Sequence, residues 1–174
     1  NAKVVTSTTS SVEADIRLDD GESLHIDYLE SPIKAIHIPG HTLDHVAYLY
    51  QKAVFPGDTL FAMSCGRIFE GTPEMMLSSL KKLTTLPEDT SIYFAHEYTK
   101  ANLEFHLSIF GPTKYVEERL ANIKTCTVPS VLATEKKHNP FLNCHQMHIQ
   151  QALGQDGELA AFTKLRQLKD HFPS

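Results

Sequence analysis

Hydrophobic and polar positions recur with a period of two through the first half of the chain and at helical spacing through much of the second. Leu24-His25-Ile26-Asp27-Tyr28-Leu29 alternates behind the turn signal Asp19-Asp20-Gly21, as expected of a half-buried strand entered through a hairpin. Ile33-Lys34-Ala35-Ile36-His37-Ile38 follows with β-branched content and stops at Pro39-Gly40. Val46-Ala47-Tyr48-Leu49-Tyr50 and Ala53-Val54-Phe55 predict a second short pair around Gln51-Lys52. At Thr72-Pro73 the period changes. Met75, Met76, Leu77, Leu80, Leu83 and Leu86 fall at helical spacing, with Thr72 placed to cap and Pro73 at the first helical position. Ser91-Ile92-Tyr93-Phe94-Ala95 reads as a buried strand, giving the strand–helix–strand order of a layered α/β fold. Beyond it the pattern predicts helices over 99–110, 113–125, 130–136 and 157–172. Gly111-Pro112 is a credible linker, so the expected units are a layered one over 1–110 and a helical one over 111–174.

Composition narrows the partners. The 174 residues are 41% hydrophobic and 21% charged, an ordinary globular mix. A net charge of −5 offers no basic field for nucleic acid or anionic lipid. No apolar run approaches the roughly 20 residues of a membrane span. Cys65, Cys126 and Cys144 are odd in number and lack a C-x-x-C pair, which suits a reducing compartment.

The candidate chemistry lies in three stretches: Pro39-Gly40-His41-Thr42-Leu43-Asp44-His45, Phe55-Pro56-Gly57-Asp58-Thr59-Leu60-Phe61 and Phe94-Ala95-His96-Glu97-Tyr98-Thr99. Each sets one good metal ligand, His41, Asp58 or His96, directly after a strand-like run. Taken singly, a histidine after a strand is an ordinary surface or core residue, and Asp58 is a turn former or helix cap. Taken together they supply two imidazoles and a carboxylate able to bridge, the donors a two-metal hydrolytic site wants.

These stretches resemble the later metal-ligand motifs of the metallo-β-lactamase fold, and in particular of the glyoxalase II (hydroxyacylglutathione hydrolase) family. Cys65-Gly66-Arg67-Ile68-Phe69-Glu70-Gly71-Thr72 is similar to a further segment of that family, as are His96-Glu97-Tyr98-Thr99, Thr127-Val128-Pro129-Ser130 and Asn139-Pro140-Phe141-Leu142. The resemblance implies the carboxyl-terminal half of an αββα sandwich followed by a small helical substrate-binding domain. It implies two divalent ions, zinc by default with iron or manganese as alternatives, His41 completing the ligand set of one, His96 that of the other, and Asp58 bridging the two. A hydroxide held between them would cleave S-(2-hydroxyacyl)glutathione, S-D-lactoylglutathione above all, to a 2-hydroxy acid and glutathione. Arg67, Phe69, Tyr98, Arg166 and Lys169 would bind the glutathione moiety, whose two carboxylates want cations and donors. Arg166 and Lys169 stand i, i+3 on the last predicted helix and can face one pocket.

Some positions depart from the family pattern. Phe69 stands where tyrosine is frequent, Asp44 where glycine is, and Asn143 where arginine is. His45 belongs to the motif but is read as structural. The upstream His-x-His-x-Asp-His cluster, which supplies four of the family's seven protein ligands, is not in the sequence. Three readings follow: a piece of a longer protein, one half of a two-chain assembly, or a shortened relative that binds glutathione conjugates without turning them over. This chain alone is expected to be inactive in the first two. A persulfide-dioxygenase-type relative is the alternative enzyme. The expected location is the cytoplasm, or an organelle if a leader precedes Asn1.

Overall fold

In the computed structural model, which describes residues 2–173, the first two strands, β1 (Val5–Ser7) and β2 (Ile16–Leu18), form a small parallel pair. The main sheet follows. β3 (Ser23–Leu24), β4 (Ile33–His37), β5 (Val46–Tyr50) and β6 (Ala53–Phe55) run as an antiparallel meander, with Ala35 facing Tyr48 and Leu49 facing Val54. A hairpin of β7 (Leu60–Phe61) and β8 (Ser64–Cys65) interrupts, and helix α1 (Pro73–Thr84) then crosses over. The crossover is what allows β9 (Ser91–Ile92) to pair with β6 in parallel, since a tight turn cannot join parallel neighbours. The Thr72 hydroxyl accepts from the Met75 N–H at 3.3 Å, with Pro73 at the first position, as the sequence predicts. Met76, Leu77, Leu80 and Leu83 are buried and fix the helix on the sheet.

The helical part comprises α2 (Thr99–Phe110), α3 (Lys114–Ala121), α4 (Leu132–His138), α5 (Met147–Leu153) and α6 (Glu158–Asp170). It also gives the sheet its last strand, β10 (Ser130–Val131), antiparallel to β9. The six-stranded order is therefore β10-β9-β6-β5-β4-β3. One hydrophobic cluster runs from Ile36 and Val54 in the sheet through Leu80 to Phe105, Phe141, Phe162 and Leu165 in the helices. Phe141 and Phe162 meet edge-on at 6.0 Å. Packing is thus continuous across Gly111, which caps α2.

Several expected elements are trimmed, each for a local reason. The alternation over 24–29 yields strand only at Ser23–Leu24, because the Leu29 N–H turns back onto the Ile26 carbonyl (2.9 Å). The strand after Thr90 keeps its ladder only through Ile92, with one further bond from the Tyr93 N–H to the Val54 carbonyl at 2.9 Å. The third helix stops at Ala121, where Asn122 leaves helical geometry. The fourth starts two residues late because Ser130–Val131 is taken up as an edge strand. β1, β2, the hairpin and α5 are additional to the predicted elements. Among the described residues no helix is long and apolar enough to cross a membrane.

A shared core predicts shared unfolding. Phe162→Ala removes a fully buried ring, for an expected loss of about 3–5 kcal/mol by chemical denaturation. Amide exchange should then accelerate in α1 and β4 as well as α6, whereas acceleration limited to the helices would show two units melting separately.

Candidate metal centre and binding cleft

Strand direction brings the three candidate ligands together. β4 and β6 both run antiparallel to β5 and so point the same way, and β9 is parallel to β6. The carboxyl ends of β4, β6 and β9 therefore share one edge of the sheet. His41, Asp58 and His96 follow those three ends by three or four residues, and all three line a single cleft of about 450 Å³.

Turn chemistry sets Asp58. The Pro56-Gly57 bend uses a left-handed backbone at Gly57 (φ 52°), and a Cβ there would lie 2.7 Å from His45 Nε2. The Asp58 N–H donates to His45 Nε2 at 3.1 Å, so that nitrogen is an acceptor. Burial, then the neighbouring His41, hold the His45 pKa below its ordinary value, which keeps the ring neutral for this task. His45 thus supports Asp58 through the backbone, in line with its structural reading. Gly66 presses even closer: a Cβ on it would lie 1.7 Å from the Asp58 carbonyl oxygen. Only glycine admits that approach.

The donors suit a divalent ion. His96 Nε2 and Asp58 Oδ1 are 3.2 Å apart. Two ligand atoms about 2.0–2.2 Å from one tetrahedral ion stand roughly 3.3 Å from each other, so the pair needs little rearrangement to share one. His41 has the right tautomer. Its Nδ1–H donates to the Arg67 carbonyl at 2.8 Å, which leaves Nε2 with a lone pair, the usual arrangement of a ligating imidazole anchored on its other nitrogen. The structure brings Asp58 and His96 into contact and places His41 in the same cleft. Among the described residues, however, no group of three His, Cys, Asp or Glu side chains closes tightly enough to hold an ion.

The five residues expected at glutathione line the same cleft. Tyr98 stacks on the His96 ring at 5.0 Å, and Phe69 lies 4.9 Å from the His41 ring. Arg67 is exposed and shares Asp170 with Arg166, at 3.3 and 3.0 Å. Arg166 is buried, not splayed on a solvated helix face: it donates to the Cys65 carbonyl at 2.6 Å and to Asp170 through Nε at 3.1 Å. Its guanidinium lies 5.4 Å from the Phe141 ring. Most of its donors are therefore already committed to the protein.

Lys169 differs. Its ammonium sits over the Phe105 and Phe172 rings at 5.4 and 5.2 Å. Burial, reinforced by the Arg166 charge, brings its pKa down to about 8. An approaching carboxylate would relieve both. Asn102, also in the lining, went unpredicted, although it stands i+4 from Tyr98 and so shares its helix face.

Known proteins fit this arrangement. The family described as Metallo-beta-lactamase superfamily matches residues 9–96, and Hydroxyacylglutathione hydrolase C-terminus matches 97–172. The chain is 42% identical over 167 residues to the hydroxyacylglutathione hydrolase of Shewanella denitrificans, covering 88% of this chain and 64% of that protein. It is 41% identical over 162 residues to the one from Shewanella baltica, covering 84% and 62%. The chain thus spans less than two thirds of the length of these relatives. Among solved structures it is similar to ETHE1 from Myxococcus xanthus, with a TM-score of 0.62 at 23% identity, covering 97% of this chain and 65% of that one, which speaks to the fold. With three candidate ligands at one sheet edge and a helical part beside them, the chain belongs to the metallo-beta-lactamase superfamily, its carboxyl-terminal part matching that of the hydroxyacylglutathione hydrolases.

Proposed function

We propose that this chain carries the glutathione-binding cleft and part of the metal centre of a thioester hydrolase acting on S-(2-hydroxyacyl)glutathione, S-D-lactoylglutathione foremost. Water and the thioester give a 2-hydroxy acid, D-lactate in that case, and glutathione. The observation that carries the reading is the lining of one cleft by His41, Asp58 and His96 together with Arg67, Tyr98 and Lys169.

Asp58 and His96, with His41 beside them, would hold divalent metal, two ions in the complete site. Zinc suits the nitrogen and oxygen donors, and iron or manganese suit them as well. Bound there, such an ion supplies Lewis acidity, making water nucleophilic near neutral pH and easing charge build-up on the carbonyl oxygen. The chain's own residues do the rest. His45 and Gly66 fix the Asp58 backbone, and Arg67 fixes the His41 tautomer through its carbonyl. Lys169 and the Arg67 guanidinium take the peptide carboxylates, and Tyr98 offers a hydroxyl beside His96. The thiolate leaves readily, so no strong protein acid is required.

The experiments follow from these roles. The isolated chain should bind S-methylglutathione by calorimetry, and Lys169→Met should weaken binding about tenfold, the scale of one charge-assisted contact. A flat titration with the unaltered chain would contradict the proposal. The pH dependence has a definite sign. With a pKa lowered to about 8, Lys169 is fully cationic below that value and loses its charge as pH rises through it. Affinity should therefore fall above about pH 8 in the unaltered chain, and the part due to Lys169 should vanish in Lys169→Met. The product of the whole open reading frame should release thiol from S-D-lactoylglutathione when zinc-loaded, and Asp58→Asn should cut that rate at least about 100-fold.

A further inference from the structure

The hairpin beyond Asp58 is held at its tip by side chains from the helical part. At that tip Met63, a non-glycine residue, has φ 63°, a backbone conformation that persists only where its surroundings over-determine it. Glu135 of α4 accepts from the Met63 N–H at 2.7 Å across 72 residues of sequence. Asn139 donates to the Phe61 carbonyl and to the Ser64 carbonyl, both at 3.1 Å, and Asn102 donates to the Ala62 carbonyl at 2.9 Å. The main-chain groups of all four hairpin residues from Phe61 to Ser64 are thus met by three distant polar side chains.

Those side chains are themselves unusual. Glu135, Asn139 and Asn102 are buried, Glu135 completely. A carboxylate so placed is costly unless its lone pairs are used. Glu135 uses them on Met63, on the Ser130 hydroxyl at 2.5 Å and on the Asn139 amide at 3.2 Å. Packing alone would be served by apolar residues of similar size.

From the tip, two short stems lead to the candidate ligands. One stem begins two residues after Asp58. The other runs into Gly66, whose N–H donates to the Thr59 carbonyl at 3.1 Å, and then Arg67, whose carbonyl anchors His41. We infer that Glu135, Asn139 and Asn102 are positioning residues for the metal centre, holding the β7–β8 hairpin so that Asp58 and His41 keep their places in the cleft. This rests on the reading of Asp58 and His41 as metal ligands. It also gives the helical part a second task beside binding substrate: without its grip the strained turn would rest on the short β7–β8 pairing.

The test is a zinc titration of the chain with a melting curve for each variant. Glu135→Gln keeps the volume but cannot accept from all three donors. Zinc affinity should fall about tenfold, the loss typical when support behind a ligand is removed. Asn102→Ala, which deletes a single donor, should fall by a smaller factor and supplies the same readout if Glu135→Gln does not fold. Leu83→Ala, a core change on α1, is the control for stability. Its melting temperature should drop while zinc affinity stays within about twofold, because a folded site binds independently of the margin by which it is folded. If Glu135→Gln and Asn102→Ala both bind zinc as the unaltered chain does, the positioning role is overturned and the metal reading stands. If the unaltered chain takes up zinc no better than Asp58→Asn, the metal reading is overturned and the positioning role with it.

Discussion

Three loops can supply one centre only if three strands end on the same edge, and the antiparallel step through β5 secures that. Because β4 and β6 flank a common reversed neighbour, they are parallel to each other, and the α1 crossover adds β9 in the same sense. The ends of β4, β6 and β9 thus present His41, Asp58 and His96 to one cleft. Register is fixed by which residues the core buries, since a slip of one residue would turn Ile36, Ala47 and Val54 away from it. The site is therefore held in place by the same apolar pattern that forms the sheet.

Charge is distributed with similar economy. The chain is net acidic, yet Arg67, Arg166 and Lys169 converge on the cleft. The three are not equivalent. Arg166 is tied down by the Cys65 carbonyl and Asp170 and serves as a fixed source of potential, whereas Lys169 lies over two aromatic rings with no carboxylate in salt-bridge contact among the described residues. Burial, with the Arg166 charge nearby, lowers the Lys169 pKa to about 8.

Much of this was legible in the sequence. The three ligand stretches could be read because each is a local event, an apolar strand followed by a turn and a polar residue. The capped start of α1 and the span of α2 were equally local. Arg166 and Lys169 read from the sequence as facing one pocket, but that Arg166 is buried on the Cys65 carbonyl was not legible, because i, i+3 spacing says nothing of which side of α6 the core takes. The strand expected over 24–29 shrank because alternation needs a partner as well as a pattern. Glu135, Asn139 and Asn102 gave no signal at all as hairpin partners, since their contacts span 40 to 78 residues. Hydrogen bonds of that separation leave no periodicity behind. The helical part over 111–174 therefore reads from sequence as a separate unit, while its packing makes it part of the same core.

The central claim is that His96, Asp58 and His41 face a common divalent-metal centre at the shared strand edge. Anomalous diffraction at the zinc edge from zinc-soaked crystals measures this directly. The account predicts a peak within bonding distance of both His96 Nε2 and Asp58 Oδ1, with His41 Nε2 turned toward it and the His41 Nδ1 bond to Arg67 intact. Zinc found only elsewhere, or a His96–Asp58 pair unchanged in its direct contact at saturating zinc, would contradict it.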